Sequence, residues 1–356
     1  MPNDELMPIG AFAQRCGLTP SALRFYADSG LLPPADVDPV SGYRYYSTDQ
    51  VARATSLRQL RELAMPLAAV EAVLGSGADK ASRLLDDHVD RVVGDAAAVQ
   101  QKAAAIKSAL GTAPALPLAT VKGPVLADAV EQVLTAAAHE PGTSAGGGLR
   151  IEAGHEAVTL TATDRYRLST RTLVPAEPPS QTWAGTVDGD ELRAAVAACR
   201  RSLLVRMEAV SKGIWFRVAG GEDRHCRLLP GQFPDYRLML ASLGEVSTRA
   251  TVSKNLLLQA LEEHPGERIG LHVSEHGVSV VPADNGHPDI PLPAIAAGRA
   301  LRIWFELTTL YPAVSTAIGP DLLLDLRGHD QPVTIRSADR GDLTTLTMPT
   351  RPDHSA

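Results

Sequence analysis

The chain has 356 residues, 44% of them apolar, with 34 Lys and Arg against 41 Asp and Glu for a net charge of −7. That length suits two or three domains with separate cores, and the acidic balance excludes a general polyanion binder. No run of 18 apolar residues predicts a membrane span, and the opening MPNDELMPIG lacks the basic and apolar regions of a signal peptide, so a cytoplasmic protein is expected. Cys16, Cys199 and Cys226 form no CxxC or Cys/His cluster, which argues for reduced structural thiols and against a zinc or disulfide framework.

Segment 8–16, PIGAFAQRC, places Ile9, Phe12, Ala13 and Cys16 at helical spacing, and Gly17 stops the helix. Thr19 caps a second helix that has Pro20 at its first position and runs through Ala27. Two short helices joined by a glycine turn predict a helix-turn-helix. Its second helix would enter the major groove, presenting Ser21 and Arg24, with Tyr26 reaching a phosphate. The run SGYRYYS (41–47) predicts a wing in which Tyr43 and Arg44 meet the sugar-phosphate backbone, while Tyr45 and Tyr46 include at least one core ring. A helix over 48–63 buries Val51, Leu57, Leu60 and Leu63 and holds Arg58 and Arg61 largely off that stripe, as further phosphate candidates. AMPLAAVEAVL (64–74) predicts another short helix. Residues 1–75 carry six Arg, no Lys and eight Asp or Glu, so DNA binding there requires cations gathered on one face.

The ordered run IGAFAQRCGLTPSALRFYADSGLLPP, then GYRYYSTDQVARATSLRQLRELAMPLAAVEAVL, resembles the DNA-binding domain of the MerR family of transcription regulators. The family commonly has a glycine where Ala64 stands and a basic residue soon after GLLPP, where this chain has ADVDPV. The resemblance implies double-stranded promoter DNA and RNA polymerase as partners. It also implies activation by distortion of a promoter with an overlong spacer.

Over 80–110, Leu85, Val89, Val92, Ala96, Val99, Ala103, Ile106 and Leu110 recur at alternating steps of four and three, the a/d seam of a coiled coil. In the resembled family a long antiparallel helix at this position pairs two subunits, which implies a homodimer.

GTAPALPLAT makes 112–120 a linker by composition. Beyond it, the order helix, strands, helix, strands occurs twice, over 121–241 and 242–356, predicting two α+β domains with helices on one side of antiparallel sheet. The whole chain thus reads as multidomain: an all-α winged helix-turn-helix over 1–75, a long coiled-coil helix over 80–111, then two α+β domains. TATDRYRLS (161–169), LLPGQFPDYRLML (228–240) and LTMPTRP (346–352) resemble, in order, motifs of the second and third domains of the bacterial DNA polymerase III beta sliding clamp. In that family these segments surround a hydrophobic groove that takes short apolar peptide tails. The resemblance assigns Thr163, Arg165, Tyr166, Arg167, Leu168, Pro234, Leu238, Met239, Met348, Pro349, Thr350 and Arg351 to such a groove, with Leu149 as a further wall residue. Arg165 and Tyr166 replace a smaller Gly-His pair, and Thr350 and Pro352 shorten the apolar tail. Asp164 and Asp235 are expected to stabilise turns.

The clamp's first domain is missing from the resemblance, and the helices that would line a ring are poorly basic. Helix 125–138 has Asp128 and Glu131 with no cation, leaving Arg193, Arg200 and Arg201 as the basic group, so encircling DNA is not expected. No phosphate loop, HExxH helix or GxSxG elbow occurs, and the histidines do not repeat at ligand spacing. No catalytic residue, metal site or cofactor is expected. The leading expectation is a dimeric, ligand-responsive regulator that senses a clamp-targeting antibiotic, a cyclic or modified peptide, through the clamp-like groove. The alternative is a DNA-bound scaffold that recruits clamp-binding replication or repair proteins.

Overall fold

The computed structural model describes residues 6–110, 115–138, 145–179, 181–283, 287–339 and 341–351, without the side chains of 104, 107–110 and 145. The chain divides into two compact units, Met1–Ala103 and Ala104–Ala356.

In the first unit, β1 (Leu6–Pro8) leads into α1 (Ile9–Cys16) and α2 (Pro20–Asp28), followed by β2 (Asp36–Val37) and β3 (Arg44–Ser47). Gly17 ends α1 at φ 69°, a left-handed conformation that favours glycine, and the Thr19 side chain accepts the Ala22 N–H at the start of α2. The three strands pair in the order β1-β3-β2 as a small wing. Then come α3 (Gln50–Glu62), α4 (Leu67–Leu74) and α5 (Ala78–Leu110). Their core gathers Phe12, Leu23, Leu32, Tyr46, Leu57 and Met65. Tyr46 is the core ring of the wing, stacked on Phe12 at 4.6 Å. The 33 residues of α5 extend about 50 Å at 1.5 Å per residue.

The second unit holds two repeats. The first comprises β4 (Leu116–Lys122), α6 (Gly123–Leu134), β5 (Gly148–Ala153), β6 (Val158–Thr163), β7 (Arg167–Leu173), β8 (Trp183–Asp188), α7 (Gly189–Arg200), β9 (Leu204–Val210), β10 (Gly213–Val218) and β11 (Arg224–Arg227). A short helix, α8 (Tyr236–Ala241), joins it to the second. That repeat comprises β12 (Thr248–Ser253), α9 (Lys254–Glu263), β13 (Arg268–Ser274), β14 (Gly277–Pro282), β15 (Ile290–Leu292), β16 (Ala294–Gly298), β17 (Leu301–Glu306), α10 (Leu307–Ser315), β18 (Asp321–Leu326), β19 (Val333–Ser337) and β20 (Leu343–Thr347).

Each repeat builds its own core from helices on sheet. One nine-stranded sheet runs through both, in the order β16-β12-β18-β19-β20-β7-β6-β5-β8, because β20 of the second repeat pairs antiparallel with β7 of the first. Two four-stranded sheets, β11-β10-β9-β4 and β15-β14-β13-β17, complete the repeats. The stretch read as a linker is in part a strand: β4 begins at Leu116, and only 111–114 lie outside the described residues. Its prolines misled the compositional reading. β4 is an edge strand, where Pro117 is tolerated, and a register irregularity between Pro117 and Ala119 absorbs it.

Candidate nucleic-acid interface and ligand groove

On α2 the apolar spacing buries Leu23 and Tyr26 and leaves Ser21, Arg24 and Phe25 outward. Tyr26, expected at a phosphate, is 8% exposed and packs in the core, since it lies three positions after Leu23 on the same helix face. Arg24 is exposed, and its side chain has no partner among the described residues. The other expected cations brace the unit. Arg44 donates to Asp28 at 2.7 Å and to the Arg24 carbonyl at 3.1 Å, locking the wing to α2. Arg58 pairs with Glu62 on its own helix, and Arg61 donates to the Met65 carbonyl across the turn into α4. Tyr43 stays 44% exposed, its ring 5.4 Å from Tyr45.

Two outward apolar residues escaped the sequence reading: Phe25, 53% exposed beside Arg24, and Val40, 95% exposed at the wing tip. Asp38 builds that tip by accepting the Val40 and Ser41 N–H groups at 2.8 and 3.0 Å, bonds that hold its carboxyl below the usual range.

The three motifs of the second unit converge. Leu168 lies opposite Leu346 in the β7–β20 ladder, so each repeat supplies one leucine to the same place. With Tyr236 from α8 they form a buried cluster distinct from the two large cores, against which Phe233, Met239, Leu240 and Leu243 pack. Tyr166, Leu238 and Met348 of the same motifs are exposed, at 66%, 69% and 40%. The Met348 N–H donates to the Tyr166 carbonyl and the Thr350 N–H to the Trp304 carbonyl, both at 2.8 Å, fastening the last motif to both repeats. Pro234 and Arg351 are exposed, and Pro349 and Thr350 half-buried.

The polar residues of the first motif hold its turn. Asp164 accepts the N–H groups of Tyr166 and Arg167 and pairs with the Arg167 guanidinium at 2.7 Å, leaving that side chain 12% exposed. Thr163 donates to the Arg167 carbonyl at 2.7 Å. Asp235 caps α8 by accepting the Leu238 N–H at 3.1 Å. Arg165 adopts φ 77°, a left-handed conformation that suits the glycine it replaces; Ala64, at φ 57°, is in the same position.

Leu149 is not a groove wall. It is fully buried in the first repeat's core, because on β5 the alternation turns Leu149, Ile151 and Ala153 inward and Arg150 and Glu152 outward. Glu152 accepts the Tyr236 hydroxyl at 2.5 Å and pairs with Arg237 at 3.2 Å. Burial and that hydrogen bond push the Tyr236 phenol up, so it remains a donor. Glu152 and Arg237 are shared by two open cavities of about 700 and 420 Å³. The period-2 pattern of LRIEA carried this signal.

Of the cations suited to a ring lining, Arg201 stays exposed while the others are paired or turned inward. Arg200 is held by Asp128 and Glu131 of α6, Arg193 pairs with Asp190 at 2.7 Å, and Lys254 donates to the Ala317 carbonyl. Cys16, Cys199 and Cys226 are buried free thiols; burial pushes Cys199 up to about 11 and Cys226 well above its usual value, so both stay protonated. Among the described residues no three His, Cys, Asp or Glu side chains group to hold a metal, and no helix is long and apolar enough to cross a membrane.

Residues 7–76 match the MerR HTH family regulatory protein model, and residues 120–235 match the central domain of the DNA polymerase III beta subunit. The chain is a MerR-type reader fused to a clamp-like body. It is 30% identical over 250 residues to the beta sliding clamp of Streptomyces coelicolor, covering 62% of this chain and 63% of that one. It is 28% identical over 165 residues to GriR, a beta sliding clamp homolog of Streptomyces muensis, covering 42% and 41%. The chain therefore spans under two thirds of either clamp relative. In fold, the sliding clamp of Pseudomonas aeruginosa bound to griselimycin is similar at TM-score 0.62 and 17% identity, over 67% of this chain and 66% of that one.

Proposed function

We propose that this protein is a homodimeric transcription regulator that binds promoter DNA through its MerR-type reader and senses a clamp-directed ligand through its clamp-like groove. The observation that carries the reading is the convergence of the three clamp-like motifs on one small apolar cluster, Leu168, Tyr236 and Leu346, in a chain that also bears a MerR-type domain. Pairing through α5 is supported by Val89, Val92, Val99 and Ile106, each between 47% and 65% exposed. Ala96 is exposed in the same seam and Ala103 half-exposed. Leu85 instead packs against the reader's core, and the Leu110 side chain lies outside the described residues.

The ligand class follows from the groove: apolar floor, a Met239 side that adapts in shape, and an open rim suit a compact apolar peptide or peptide antibiotic. Similarity in fold to a clamp whose structure holds griselimycin supports that class. The role is binding rather than catalysis. A ligand that prefers the DNA-distorting conformation shifts the balance between promoter states, and RNA polymerase reads the shift.

Calorimetric titration of the full chain with griselimycin and with a short apolar clamp-binding peptide tests this, alongside binding to its own upstream DNA. Saturable binding of griselimycin that alters transcription in vitro is expected. No binding of either probe by protein that still holds DNA would sink the sensor; peptide binding alone, with no transcriptional effect, would favour a recruiting scaffold.

A further inference from the structure

The joint between the two repeats also marks where a further repeat would attach. β7 is the strand through which the first repeat meets β20, the last strand of the second. In repeat order β15 is the counterpart of β7, and β11 the counterpart of β20. Both counterparts are terminal strands of the four-stranded sheets, so they are the edges that would take a neighbouring repeat from another molecule.

These edges are closed by two different devices. β15 pairs with β14 through Leu292, Pro291 and Ile290. Proline has no N–H, so that register is satisfied only if Ile290 and Leu292 carry the bonds to β14. Pro291 then faces the outer edge, as does Pro293 two residues on, and both are exposed. Two successive outward donors are therefore missing. At the matching edge of β7, by contrast, the Thr172 N–H donates outward to the Asp342 carbonyl at 2.9 Å.

On β11 the Leu228 N–H turns inward to the Lys212 carbonyl, which sets Arg227 facing out. Its N–H is taken by the Glu191 carboxylate at 2.6 Å, and its guanidinium by Asp188 at 2.6 Å. Both carboxylates come from the start of α7, where Asp188 is the N-cap. An incoming strand would have to break a charge-assisted bond and bring its carbonyls against two carboxylates.

We infer that the clamp-like body is closed against ring assembly: Pro291 and Pro293 at one end and Glu191 at the other keep it from adding to a second copy of this chain or to a replicative clamp subunit. The body then offers its groove without entering the replication ring. This holds whether or not the groove senses a drug.

The test uses the full chain carrying Val92→Asp and Val99→Asp, so that pairing through α5 does not mask contacts between bodies. Sedimentation velocity over a wide concentration range is expected to show monomer; a trimer or larger head-to-tail species would overturn the inference. Mixing wild-type protein with the Streptomyces coelicolor clamp, followed by native mass spectrometry, is expected to give no mixed ring, and a mixed ring overturns it equally. Adding Pro291→Val, Pro293→Thr and Glu191→Ala to the seam variant is expected to produce concentration-dependent association. If that variant melts cooperatively yet stays monomeric, the caps are not what excludes assembly. The first two arms alter neither edge, so they decide the matter even if the uncapped variant misfolds.

Discussion

The seam of α5 and the groove proposed for the clamp-like body are assembled in opposite ways. The seam lies on one helix, where steps of four and three residues bring Val89, Val92, Ala96 and Val99 to one face without help from the rest of the molecule. The groove floor takes Leu168 from one repeat, Tyr236 from the connecting helix and Leu346 from the other repeat, and exists only because β7 and β20 pair. A locally encoded surface answers to single substitutions on one face. A non-local one depends on the strand pairing beneath it, so its residues divide sharply between those that face the groove and those that hold the sheet.

The largest expected effect breaks the local surface. Val92→Asp with Val99→Asp should abolish pairing and lower promoter affinity by about 100-fold or more, because two linked readers gain from effective concentration. Sedimentation and gel-shift titration of the same preparation check both halves, and a variant that remains dimeric removes the seam from the account.

The next pair sharpens the division within the body. Leu149→Ala should cost about 3 kcal/mol of stability by opening a core cavity, with ligand affinity of the folded protein unchanged. Leu168→Ala should cost less, about 2 kcal/mol, yet weaken ligand binding about tenfold, since it removes groove floor. Denaturant melts paired with calorimetry separate the two, and equal loss of binding in both would place Leu149 back in the groove.

Arg24→Ala should weaken promoter binding about tenfold and relax sequence preference, whereas Arg44→Ala should weaken all DNA sequences alike. Titration against promoter and scrambled duplexes distinguishes them; wild-type affinity in both variants would refute this placement of the reader.

The smallest effects concern backbone. Ala64→Gly and Arg165→Gly should each stabilise the protein by about 0.5 kcal/mol, relief of a left-handed non-glycine residue outweighing glycine's entropy in the unfolded chain. A fall in melting temperature for either would show that its φ is not strained.

Much of the fold was legible because its signals are local. The glycine turn, the Thr19 cap, the long helix over 78–110 and the repeated order of helices and strands all reappear, and Asp164 and Asp235 hold turns as their residue type suggested. The misreadings share a cause. Tyr26 and Leu149 were placed by motif position, while helical and strand periodicity turned them into cores. Arg58 and Arg61, expected as cations for DNA, are each engaged by a group four residues on, the Glu62 carboxylate and the Met65 carbonyl.

The sequence by itself determined the kind of molecule: a MerR-type reader, a long helix with an unburied seam and two clamp-like repeats, all carried by spacing within segments of a few turns. Tertiary structure decided which side chains remain available to a partner. Only the packed chain pairs Leu168 with Leu346, neutralises Arg200 with Asp128 and Glu131, and plugs the β11 edge with Glu191. Those are contacts between residues far apart in sequence, and no local period encodes them.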